Sequence, residues 1–217
     1  MTSLPFRDRS DAGQCLAAEL RHHKLPSNAV ILALPRGGIP VGFAIAQALH
    51  LPLDVIVARK LGVPWQPELA MGAIAGQSTA LDEELIRELG VSRQDVDAIV
   101  TREKAELERR EKLYRGGRPP RDLHGRTVVL VDDGLATGST MLAAARCVRS
   151  LGPESLRIAV PVGSRQGCQL VGSECDECIC LAEPRPFAAV GQWYEDFRQV
   201  SDAQVTNLLE QCRRQAV

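Results

Sequence analysis

Aromatic residues are scarce in this chain, at 4% of 217 residues, so any local gathering of rings carries information. Charge of one sign is also missing. Lys and Arg total 26 against 27 Asp and Glu, a net charge of −1, which leaves no bulk electrostatic footprint for nucleic acid. No apolar run approaches the length of a membrane span, and residues 1–9 hold no apolar signal core. These absences predict a cytoplasmic protein with no membrane partner. Repeats and low-complexity tracts are lacking as well. The seven cysteines are odd in number and scattered. Cys175, Cys178 and Cys180 form a C-x-x-C-x-C cluster, but no second ligand pair of zinc-like spacing accompanies it. Cys180 lies in an apolar run and reads as a core thiol, so reduced structural thiols are expected.

What is present is an alternation of short apolar runs with helical patterns. Residues 10–23 read as a helix with Ser10 or Asp11 at its cap. Residues 30–34 read as a buried strand, broken by Pro35-Arg36-Gly37-Gly38; 41–49 as a helix; 53–58 as a second strand. That order suggests a parallel βαβ unit. Residues 59–80 read as loop around Gly62, Pro64 and Pro67, with a short strand at 69–74. A helix is expected over 81–89. A longer one, capped by Ser92 with Asp95 as the shorter partner of a capping box, is expected to reach Tyr114 and stop at Gly116-Gly117. That long helix is dense in charge with a thin apolar stripe, and reads as a solvated helix lying on the domain. Strands follow at 128–131, 156–162 and 177–181, with helices at 140–150 and 202–213.

Residues 128–140 carry the chemistry. Four apolar residues end in Asp132 and Asp133; then come Gly134, Leu135, Ala136, Thr137, Gly138, Ser139 and Thr140 at the start of a helix. Backbone N–H groups at such a helix end bind a phosphate. Paired carboxylates accept sugar hydroxyls and help hold Mg²⁺. Arg36-Gly37-Gly38 makes a second anion site, with two glycines for close backbone approach and a forked cation.

The stretch at 128–140 resembles the phosphoribosyl-pyrophosphate (PRPP) motif of the type I phosphoribosyltransferases: four hydrophobics, two acids, three mostly apolar residues, then Thr-Gly-x-Thr. The resemblance covers roughly residues 28–60 and 125–200. It is nearest to the predicted phosphoribosyltransferases with a Pro-Arg-Gly-Gly loop and a Trp-Tyr-containing tail. It implies an α/β fold: a Rossmann-like parallel sheet flanked by helices, in one domain over 1–217. A helical insertion at 81–117 and a small C-terminal hood at 182–217 would complete it. Asp132 and Asp133 would hold the PRPP ribose and Mg²⁺. Residues Ala136, Thr137, Gly138, Ser139 and Thr140 would hold the 5′-phosphate. Arg36, Gly37, Gly38, Arg59 and Lys60 would hold the pyrophosphate, with Arg36 and Lys60 serving catalysis. The Arg59-Lys60 pair resembles one that opens a mobile loop in the orotate branch, and Glu68 would return from that loop.

Four of the rings, Phe187, Trp193, Tyr194 and Phe197, fall within eleven residues. The hypoxanthine-guanine branch has a similar segment, and Phe187 matches its base-stacking ring. Two departures from that branch stand out. Ala136 replaces a loop Asp near the base, and Ala159 stands where a Lys reads the exocyclic oxygen. The acceptor is therefore left open as a nucleobase-like small molecule. The reaction implied is transfer of 5-phosphoribosyl from PRPP with loss of pyrophosphate. The alternative is a PRPP- or nucleotide-sensing regulator on the same fold that does not catalyse. A homodimer is a further expectation from the family.

Overall fold

The computed structural model describes residues 4–76 and 78–215, and turns the apolar runs into the strands of one parallel sheet. In chain order, α1 (Arg9–Leu20) ends in a 3-10 turn and leads to β1 (Val30–Ala33), α2 (Gly38–Leu49) and β2 (Leu53–Val55). Then come β3 (Ala58–Val63), β4 (Gln66–Ala75), β5 (Ser78–Leu81), α3 (Glu83–Glu88) and α4 (Arg93–Arg115). The chain returns through β6 (Thr127–Val131), α5 (Ser139–Ser150), β7 (Ser155–Val162), α6 (Arg165–Gly172) and β8 (Glu177–Ala182). It closes with a 3-10 turn (Val190–Trp193) and α7 (Asp202–Gln215). Among the described residues, no helix is long and apolar enough to cross a membrane.

The five-stranded sheet runs β2-β1-β6-β7-β8, all parallel. Its strands are buried on both faces, because side chains alternate. Val129 and Val131 join Ile31, Leu16, Ile45 and Leu209 on the side of α1, α2 and α7. Val128 and Leu130 join Ile158, Met141, Val148 and Val171 on the side of α5 and α6. Each such aliphatic side chain contributes about 1.5–3 kcal/mol on full burial. Strand order reverses between β1 and β6, and in an open α/β sheet the crevice outside the carboxyl ends at that point is where ligands bind.

Two expectations are corrected here. Residues 58–81 form a three-stranded antiparallel meander, β3-β4-β5, rather than a loop with one strand. The glycine and prolines that suggested a loop mark other things: Pro64 lies in the β3–β4 turn, and the register shifts on either side of Gly62. The expected strand at 53–58 stops at Val55, and Ala58 already belongs to the meander. In addition, α6 had no sequence signal. It is eight residues long and capped by Ser164, whose Oγ accepts from the Gly167 N–H at 2.9 Å.

Ser92 caps α4 as expected, and Asp95 pairs with its hydroxyl. The Ser92 hydroxyl accepts from the Asp95 N–H at 3.1 Å and donates to its carboxylate at 2.6 Å. Gly116, at φ +62°, ends the helix in the left-handed conformation.

Candidate active site

The carboxyl ends of β1 and β6 lie side by side, so the two sequence motifs meet. The Leu34 N–H donates to the Val131 carbonyl at 2.9 Å and carries the pairing one residue past β1. The Arg36-Gly37-Gly38 loop then passes directly over the acid pair. A methyl on Gly37 would overlap the Asp133 carboxylate. The Pro35-Arg36 peptide is cis. A methyl on Gly38 would lie 2.7 Å from the Val131 carbonyl oxygen and 2.9 Å from the Asp132 Cα. Those neighbours are backbone and cannot move aside. Gly38→Ala is therefore expected to cost about 1–3 kcal/mol by overpacking. Scanning calorimetry should read this as a fall of roughly 2–12 °C in a chain of this size. An unchanged midpoint would contradict the contact.

The acids themselves are largely withdrawn from water. Asp133 keeps 14% of its side-chain exposure and accepts from Arg9 Nε at 2.7 Å. Burial, reinforced by the Asp133 charge, holds the Asp132 carboxyl well above the usual carboxylate range. Burial also raises Asp133, against the opposing pull of Arg9. The Asp133 N–H donates to the Asp132 carboxylate at 2.8 Å. An acid pair in this condition gains from hydroxyl donors or a cation brought by a ligand. Its hard oxygens suit Mg²⁺ better than a soft metal.

Residues 134–140 run from this pair to the start of α5. The Leu135 N–H donates to the Val162 carbonyl at 3.0 Å, and Ser164 Oγ donates to the Ala136 carbonyl at 2.5 Å. Both bonds moor the loop to β7 and the first turn of α6. Gly138, at φ +80°, caps α5, and a methyl there would meet the Gly167 carbonyl oxygen at 2.9 Å. Ala136, Thr137, Ser139 and Thr140 remain exposed. The positive end of a twelve-residue helix thus opens beside the acids, with the Ser139 N–H 3.4 Å from the Thr137 hydroxyl.

The other expected residues are placed less simply. Arg36 is part-exposed, with Nε 3.9 Å from the Asp202 carboxylate at the start of α7. Arg59 and Lys60 are neighbours on strand β3, where successive side chains alternate in direction. The Arg59 guanidinium binds Glu103 on α4. Lys60 lines a cavity of about 240 Å³ with Ser139, Leu142 and Arg146 of α5. A mobile loop opening at this pair is replaced by strand β3; Arg59 and Lys60 also line together a cavity of about 570 Å³ against α4. The Phe187 ring lies 6.3 Å from that of Trp193 and packs with Val162 and Tyr194. The Glu68 side chain lies outside the described residues. Ala159 is fully buried in β7.

Three residues support Asp133 and its loop in ways the sequence did not indicate. Arg9, near the start of α1, binds Asp133 and stacks its guanidinium 3.9 Å from the centre of the Phe197 ring. Tyr194 donates its hydroxyl to the Asp133 carbonyl at 2.6 Å. Burial raises the Tyr194 phenol strongly, with the Asp133 charge adding to it, so it stays a donor. Val190 presses on the loop so closely that a methyl on Gly134 would meet it at 2.6 Å. The gathering of rings in the tail was visible, but its contact with the acid pair requires the fold.

Two Mycobacterium tuberculosis proteins, named "Putative phosphoribosyl transferase Rv0571c" (strain H37Rv) and "Putative phosphoribosyl transferase MT0597" (strain CDC 1551), are each 44% identical over 211 residues. The match takes in 96% of this chain and 47% of each relative, so the chain spans about half their length. The crystal structure of TT1426 from Thermus thermophilus superposes with a TM-score of 0.87 at 38% identity, over 96% of this chain and 99% of that one. Residues 9–192 match the phosphoribosyl transferase domain, and the chain belongs to that family.

Proposed function

We propose that the protein transfers the 5-phosphoribosyl group of PRPP to a nitrogen of a nucleobase-like acceptor and releases pyrophosphate. One observation carries this reading: the Arg36-Gly37-Gly38 loop lies directly against Asp132 and Asp133 at the reversal of strand order. That contact brings two anion sites and a hydroxyl-binding acid pair into one crevice. In this proposal the carboxylates of Asp132 and Asp133 accept from the ribose hydroxyls. The amides of residues 136–140 and the hydroxyls of Thr137, Ser139 and Thr140 take the 5′-phosphate. The Gly37 amide takes the pyrophosphate, the Gly38 N–H being held by the Leu34 carbonyl at 3.0 Å; Arg36, once it leaves Asp202, and Lys60 from the meander join it. Phe187 lines the acceptor side.

In the reaction, the bond from ribose C1 to the pyrophosphate oxygen breaks as a bond from the acceptor nitrogen to C1 forms. Charge builds on the leaving oxygen, where fixed amides and cations stabilise it most. The proton shed by the nitrogen passes to solvent or to the departing pyrophosphate. Mg²⁺, for which the oxygen donors of Asp132 and Asp133 are suited, would supply further charge neutralisation of the leaving group.

Incubating the protein with PRPP, Mg²⁺ and a panel of nucleobases should release pyrophosphate with at least one acceptor, read by a coupled phosphate assay. No pyrophosphate release with any acceptor tried, under conditions where calorimetry shows PRPP bound, would leave a binder and remove the transferase.

A further inference from the structure

The C-x-x-C-x-C cluster lacks a second ligand pair in the sequence, but the fold brings other ligands to it. Cys178 and Cys180 stand two apart on β8 and so share a face. Ile179, between them, belongs to the core on the α1 and α2 side, whereas Cys178 and Cys180 pack with Val160 and Val171 on the α6 side. Helix α6 covers that face and lays Cys168, which is 8% exposed, upon it. Glu183 is the first residue beyond β8. The Cys168 sulfur, the Cys180 sulfur and a Glu183 carboxylate oxygen all lie within 4.8 Å of one another. Tetrahedral zinc, with Zn–S near 2.3 Å and Zn–O near 2.0–2.2 Å, holds its ligands about 3.5–3.8 Å apart. The three atoms can therefore close on one ion by side-chain adjustment alone.

Gly163 forms the wall behind them. A methyl there would stand 2.5 Å from the Cys168 sulfur and 3.2 Å from that of Cys180, so the space at the sulfurs depends on its absence.

We propose that Cys168, Cys180 and Glu183 form a zinc site, with water in the fourth position. Two thiolates select a soft or borderline cation and discriminate against Mg²⁺, so this site is chemically separate from the acid pair at Asp132 and Asp133. Its location gives it a structural task. Cys168 closes the first turn of α6 with its N–H on the Ser164 carbonyl at 3.0 Å. The Ser164 hydroxyl holds the Ala136 carbonyl of the 134–140 loop. An ion joining Cys168 to the end of β8 would clamp that turn of α6, and with it the mooring of the loop.

The test uses the whole reduced chain, freed of metal, with Zn²⁺ alone as the probe, and reads no catalytic activity. Competition with a chromophoric chelator should show one Zn²⁺ per chain. Co²⁺ in its place should give a thiolate charge-transfer band and the intense visible bands of a tetrahedral ion. Cys180→Ser and Glu183→Gln should each weaken Zn²⁺ binding by about tenfold or more, while Cys15→Ser leaves it unchanged. Glu183 is exposed, so its variant reports on ligation without threatening the core. Circular dichroism of the metal-free variants checks that each is folded. Absence of Zn²⁺ binding, or binding undiminished in both Cys180→Ser and Glu183→Gln, would overturn the site.

Discussion

Replacing both acids, Asp132→Asn with Asp133→Asn, is expected to weaken PRPP binding at least about 100-fold in a calorimetric titration, since a hydrogen bond to a charged acceptor contributes about 1.5–3 kcal/mol and two are lost. The amides keep the shape of the side chains and remove their charge. The two positions are not equivalent. Asp132 touches no side-chain donor among the described residues, whereas Asp133 is held by Arg9, with the Tyr194 hydroxyl on its carbonyl. Asp132→Asn alone should therefore weaken PRPP with little change in the unfolding midpoint. Asp133→Asn also leaves the mostly buried Arg9 without its counter-charge, and should lower both. Unchanged affinity in the double variant, with the fold intact, would remove the pair from the donor site.

Arg115→Leu should cost about 3–5 kcal/mol of unfolding free energy in a urea titration, the usual consequence of removing one member of a buried ionic cluster. Arg115 is the last residue of α4, and its side chain and that of Asp54 are each 7% exposed. Its Nε lies 3.3 Å from the Asp54 carboxylate and its Nη1 3.2 Å from that of Glu111. Its Nη2 donates to the Val55 carbonyl at 2.5 Å. Burial already pushes the Glu111 carboxyl up, with Arg115 as the charge that opposes it. Leucine would leave two carboxylates and a carbonyl facing a hydrocarbon. The paired variant Arg115→Leu with Asp54→Leu should recover part of the loss, because one of the two stranded carboxylates is gone and only Glu111 is left without its counter-charge. A loss below about 1 kcal/mol in the single variant would show that water reaches the cluster.

Arg115 also illustrates where sequence reading stopped. The charged pattern of α4 describes its exposed face correctly, with Glu106 bound by Arg109 and Arg110. Nothing in a pattern of charges says that the final arginine turns inward beneath β2. Period, caps and strand runs are local properties, which is why the parallel sheet, the Ser92 cap and the 128–140 loop were all legible. The meander was not, because the glycine and prolines in it serve a turn and an irregular pairing that only the partner strand reveals. The candidate site divides in the same way. Asp132, Asp133 and the Gly37-Gly38 loop were visible as motifs behind strands. Arg9 was not, because a lone arginine in a first helix has no pattern. Its role arises from a carboxylate 124 positions further along the chain, which the fold brings back to it.

The support around Asp133 also has an order in time. The Phe6 N–H donates to the Trp193 carbonyl, Arg9 stacks on Phe197, and Tyr194 reaches the Asp133 backbone. Residues 6–9 thus bind residues 193–197, made much later, with the acid between them. During synthesis, the sheet and the 134–140 loop can assemble while Arg9 still waits for its aromatic partner. A nascent chain would hold both motifs well before the contacts around Asp133 could close, and the candidate crevice would mature only as residues 193–197 leave the ribosome.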